Sequence, residues 1–87
     1  MRVKLYSLFD ASVGIYSQPF AAQTVGQAYR MIHELALSGD HAIGRYANEF
    51  SLYDLGWFDQ VEGILETHIP VLVARAKDVL QTFEVQK

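Results

Sequence analysis

The chain predicts an α+β domain of order ββαββα, with a four-stranded, mainly antiparallel sheet and helices packed on one face. Three observations carry that prediction. Residues 3–9 alternate with a period of two, residues 25–37 repeat with a period near 3.6, and a second β-rich stretch follows. Two hairpins separated by a helix need not be parallel, so one antiparallel sheet with its helices gathered on one side is the economical packing.

In the first strand Val3, Leu5, Ser7 and Phe9 share one face, and Lys4, Tyr6 and Leu8 share the other. Asp10-Ala11-Ser12 has turn chemistry, and residues 13–17 return to β-favouring types, so 3–20 reads as a hairpin. Pro19 ends the second strand or sits on an edge, because it has no N–H to donate. Thr24-Val25-Gly26-Gln27 is a capping-box pattern. Beyond it Val25, Ala28, Ile32, Leu35 and Ala36 fall on one helical stripe, and Gly39 offers a left-handed C-cap. A helix over about 25–37 follows.

Asp40 is then expected to cap a turn or two of helix over 41–46. Residues 51–58 read as a third strand, Val61-Glu62-Gly63 as a turn and 64–67 as a fourth strand. Pro70 suits the first position of a helix. Leu72, Ala76, Val79, Leu80 and Phe83 have helical spacing, yet Val71-Leu72-Val73 fits a strand equally well, so 70–81 stays open between the two. The tail after about Phe83 is expected to fray. Residues 1–87 form one domain, without internal repeats.

Composition narrows the function classes. Half of the 87 residues (51%) are hydrophobic, and the one Trp, five Tyr and five Phe are spread along the chain, which favours a folded core over disorder. Cysteine is absent, so neither disulfides nor thiolate metal sites arise. The N-terminus lacks an apolar signal region, and no run approaches the ~18 apolar residues of a membrane span. A cytoplasmic protein without membrane contact is the expectation. A net charge of −3 with seven basic residues opposes a broad positive field for nucleic acid, though a local patch is compatible with it.

No arrangement of residues points to catalysis. His33, His41 and His68 share no metal-ligand spacing, and His33 beside Glu34 reads as a solvated side chain on a helix flank. Asp54, Asp59, Glu62 and Glu66 cluster around the second hairpin, where edge charges that discourage sheet-to-sheet association are the simplest reading. The six glycines form no phosphate-binding loop. The expectation is therefore a non-enzyme with no catalytic residue, metal or cofactor.

The aromatic residues are the functional lead. Tyr6 and Tyr16 share a sheet face if the register pairs even with even, and Tyr53, Leu55 and Trp57 alternate in the same sense. Rings on an open sheet with Arg2 and Lys4 beside them would make a stacking platform for single strands. The plainer alternative places these rings in the core or in a dimer interface.

The segment Lys4-Leu5-Tyr6-Ser7-Leu8-Phe9-Asp10, then Gly14-Ile15-Tyr16 and Gln18-Pro19-Phe20-Ala21-Ala22, resembles the small nonstructural protein of gokushovirus-type microviruses, phages with single-stranded DNA genomes. The likeness continues through Ala28-Tyr29-Arg30, Asn48-Glu49-Phe50-Ser51-Leu52-Tyr53-Asp54-Leu55-Gly56, Phe58-Asp59 and Gly63, and so covers most of 4–67. Ala47 stands where that family often has proline, and Trp57 where a polar residue is usual. The resemblance implies a nonstructural protein of the infected bacterial cytoplasm that handles single-stranded DNA or the switch from replication to packaging. On that reading Lys4, Tyr6, Tyr16, Arg30, Arg45 and Trp57 are the candidate contacts, rings stacking on bases and cations meeting phosphates. The rival reading is a protein-interaction module, a homodimer or an adaptor for a replication or capsid protein, that never touches DNA.

Overall fold

The computed structural model, which describes residues 1–85, keeps the two-faced first strand that the alternation predicts. β1 (Arg2–Asp10) pairs with β4 (Phe50–Asp59) on one side and with two short strands, β2 (Ile15–Tyr16) and β3 (Phe20–Ala22), on the other. β4 pairs in turn with β5 (Leu65–Arg75), so β1 and β4 are central and β5 forms an edge. α1 (Val25–Ser38) joins β3 to the second hairpin, and α2 (Ala76–Val85) continues directly from β5. Every pairing is antiparallel.

The sheet has five strands rather than four because the expected second strand is broken around Pro19. Side chains satisfy the backbone at that break. Ser7 Oγ donates to the Ser17 carbonyl at 2.7 Å, and the Leu8 N–H donates to Ser17 Oγ at 3.0 Å. Ladder bonds lost where proline cannot donate are thus replaced locally.

The helices cover the even-numbered face of β1. Leu8, Leu52 and Ala74 form one cross-strand row and Tyr6 with Phe20 another. Ala28 and Ile32 of α1 and Ala76 and Val79 of α2 complete this core, together with Ile43 and Phe50. Each fully buried aliphatic side chain there contributes about 1.5–3 kcal/mol by leaving water.

α1 begins as the capping pattern predicts. The Gln27 N–H donates to Thr24 Oγ1 at 3.1 Å, and Gln27 Oε1 accepts the Gln23 N–H at 2.7 Å, one residue earlier than in the usual box. Gly39 closes the helix with φ 78°. Thr24→Ala should lower the unfolding free energy by about 1 kcal/mol in urea denaturation, leaving the fold unchanged.

Two expectations are corrected. The turn of helix expected over 41–46 is present as a single 3-10 turn, Ala42–Gly44, followed by another at Ala47–Glu49, but His41 rather than Asp40 supplies the first cap. Its Nδ1 accepts the Ile43 N–H at 3.0 Å. Pro70 does not start a helix; it lies inside the eleven-residue β5. Asp54 pairs with Val71 and Gly56 with Thr67, so residues 68–70 bulge opposite Leu55 alone, and an edge bulge asks no N–H of proline. The ambiguity over 70–81 resolves as both: strand through Arg75, helix from Ala76. α2 continues past Phe83 to Val85, and the rest of the predicted fray lies outside the described residues.

Candidate functional site

Because α1 and α2 both pack on the even-numbered face of β1, the odd-numbered face carries no helix among the described residues. Cross-strand partners share a face, so the register defines what this surface presents. Tyr16, Phe9, Ser51 and Arg75 form one row across the sheet, and Ser7, Tyr53 and Leu72 the next. Leu5 with Gly56 and Val3 with Phe58 and Leu65 follow. Phe9, Tyr16 and Tyr53 form a mutual cluster with ring centroids 4.6–5.9 Å apart. Tyr16, Leu65 and Leu72 remain 42%, 60% and 51% exposed, so apolar surface is offered to solvent here. Arg75 is the only charged residue in these paired rows among the described residues.

This arrangement rearranges the predicted contacts. Tyr6 pairs with Phe20 and Tyr16 with Phe9, so the two tyrosines lie on opposite faces instead of one. Tyr6 is 4% exposed within the core and cannot serve as a stacking ring. Burial, aided by the nearby Asp54 carboxylate and the Tyr29 hydroxyl, raises its hydroxyl pKa above the ordinary value. Tyr53 and Trp57 also part company. A register shift leaves Leu55 unpaired in β4, so Tyr53 pairs with Ser7 on the open face and Trp57 with Lys4 on the other. Arg30 and Arg45 are exposed, but on α1 and the loop after it, on the helix-bearing side.

Lys4 and Trp57 do meet, at the end of the sheet away from the core. Lys4 Nζ lies 4.2 Å and the Arg2 guanidinium 4.5 Å from the indole ring. Both cations are already paired, Lys4 with Asp54 at 2.7 Å and Arg2 with Glu66 at 3.4 Å. His68 Nε2 approaches the other Asp54 oxygen at 3.4 Å, and that oxygen also accepts the Gly56 N–H at 3.0 Å. Asp54 and Glu66 of the hairpin carboxylates therefore have specific partners rather than acting as loose edge charges. Asp59 accepts from the Glu62 and Val61 N–H groups, which hold its carboxyl below the ordinary range and fix the turn.

His33 is not a solvated flank residue either. Its ring stacks on Phe83 at 4.2 Å with planes 7° apart, tying α1 to α2. Between α1 and residues 17–20 runs a groove of about 550 Å³, lined by Leu8, Phe20, Met31, Leu35 and His41 among others. Its histidine is engaged as the cap described above. No helix among the described residues is long and apolar enough to cross a membrane.

The residues missed in the sequence are thus Phe9, Leu72 and Arg75, while Tyr53 stands in the aromatic alternation but not among the candidate contacts. The odd-numbered alternation of β1 was the signal that could have found Phe9. No curated protein matches this chain, and no solved structure does. A protein-family model described as Phage ORF5 protein matches residues 3–79, nearly the whole chain. The chain belongs to the Phage ORF5 protein family.

Proposed function

We propose that this phage protein is a nonstructural accessory factor of a gokushovirus-type microvirus and that it works in the host cytoplasm by binding, without catalysis. The helix-free sheet face carries the reading: rings and aliphatic side chains lie in register across four strands, and Tyr16, Leu65 and Leu72 stay exposed there. A protein partner suits this face better than single-stranded DNA. Sequence-independent DNA affinity comes from neutralising phosphates, and these rows supply Arg75 alone in a chain of net charge −3. The partner class is a phage replication or capsid protein, or the chain itself.

Single-stranded DNA is a second reading, and one observation favours it. Trp57 has two cations within 4.5 Å of its ring, an arrangement in which a base could stack on the indole while phosphates displace Asp54 and Glu66. A labelled poly-thymidine strand and immobilised protein separate the two. The protein reading expects phage-encoded proteins from infected cells to be retained by the wild-type chain and lost from Tyr53→Glu, with no saturable anisotropy change at micromolar protein and low salt. Saturable oligonucleotide binding that Trp57→Ala abolishes and Tyr53→Glu leaves intact would establish the DNA reading instead.

A further inference from the structure

We propose that the helix-free face docks a second copy of this chain, forming a two-fold sandwich whose axis runs parallel to the strands, between β1 and β4. The inference rests on the reading that this face is the docking surface, and it names the occupant.

The self-complementarity is visible in the register. Along the two central strands each row sets a larger residue against a smaller one: Phe9 with Ser51, Tyr53 with Ser7, Leu5 with Gly56, and Phe58 with Val3. The larger member changes strand at every row, giving a checkerboard of larger and smaller residues. A two-fold along the strands exchanges β1 with β4 of the other copy and keeps each row at its own level. Every larger residue then faces the smaller one of the same row, and because Ser7 and Val3 are only 0% and 6% exposed in one chain, the larger side chains make the contact. Two sheets stacked this way meet face to face about 10 Å apart.

The polar groups agree with such an interface. Ser7, opposite Tyr53 and already fully buried in one chain, has its hydroxyl bonded to Ser17, and no buried side-chain polar atom among the described residues lacks a partner. Covering this face therefore strands no group at Ser7. The same operation places Arg75 over the partner subunit's Tyr16, a cation–π contact made twice by symmetry. A two-fold perpendicular to the strands also alternates large with small, but it sets Arg75 on an aliphatic Leu65 instead. Charge scarcity removes the usual obstacle to self-association, since no acidic residue stands in these rows.

The area suffices. β1, β4 and β5 run for 9, 10 and 11 residues, and with the broken segment 15–22 alongside β1, at a spacing of about 4.8 Å, they present roughly 600 Å² per protomer. Both copies together then bury about 1,200 Å² or more, which reaches the range of stable specific interfaces.

Light scattering after size exclusion, at micromolar concentration, should give twice the 9.8 kDa chain mass. Tyr53→Glu should raise the dimer dissociation constant at least about thirtyfold while the far-ultraviolet circular dichroism is unchanged. The chain has no cysteine, so Tyr16→Cys mixed with Arg75→Cys should give a disulfide-linked heterodimer on mild oxidation. Within one chain those positions stand on opposite edges of the sheet, too far apart to bridge. A monomer at these concentrations would overturn the dimer, and so would a dimer that neither Tyr53→Glu nor the cysteine pair affects. A monomeric wild type that still retains phage proteins through Tyr53 would overturn the dimer alone and leave the docking surface standing.

Discussion

Gly56→Ala should destabilise the protein by about 4 kcal/mol or more, enough to leave much of it unfolded at room temperature. Gly56 adopts φ 137°, a conformation that side-chain-bearing residues rarely enter. A Cβ there would stand 2.1 Å from the Glu66 carbonyl oxygen and 2.8 Å from the Thr67 Cα, both backbone atoms of β5. No side-chain rotation relieves such a contact; the strands must separate. Separation would release the Gly56 N–H from Asp54, whose other oxygen pairs with Lys4, so the ion pair at the Trp57 end would loosen as well. Urea denaturation monitored by Trp57 fluorescence measures both effects. A loss below about 1 kcal/mol, typical of glycine replacement in an unstrained position, would refute this account of the bulge.

Leu52→Ala carries the second large effect, a loss of about 2–5 kcal/mol. Leu52 is fully buried on a central strand, between Leu8 and Ala74 and beneath both helices. Truncation forfeits its transfer energy and opens a cavity that rows pinned on both sides cannot close. The midpoint of denaturation should fall with little change in its urea slope, since the native fold persists.

How far the sequence could be read depends on the element. α1 was legible to within a residue at each end because Thr24, Gln27 and Gly39 use local chemistry that tertiary contacts do not override. β1 and β4 were legible as strands, yet not their assignment to faces. Both sides of β1 are largely apolar, Tyr6 and Leu8 on one and Leu5 and Phe9 on the other, so alternation alone could not say which side the helices take. Register shifts did the remaining damage. The extra residue at Leu55 reverses the direction of Trp57 relative to Tyr53, and residues 68–70 absorb a proline that resembles a helix start. Bulges depend on the partner strand, which a period-two pattern does not encode. The candidate site suffered accordingly: Tyr16 belongs to it, Tyr6 lies beneath the opposite face, and Lys4 and Trp57 form a separate cluster.

Residues 52 and 53 are neighbours in the chain and point to opposite sides of β4, so they test the two-faced sheet directly. Denaturation at high dilution, where each chain stands alone, compares them. Tyr53→Glu should remain within about 1 kcal/mol of the wild type, because its ring meets Phe9 and Tyr16 on the open face and not the helix-covered core. A loss as large as that of Leu52→Ala would mean that both faces are packed within a single chain, and the docking surface would not exist.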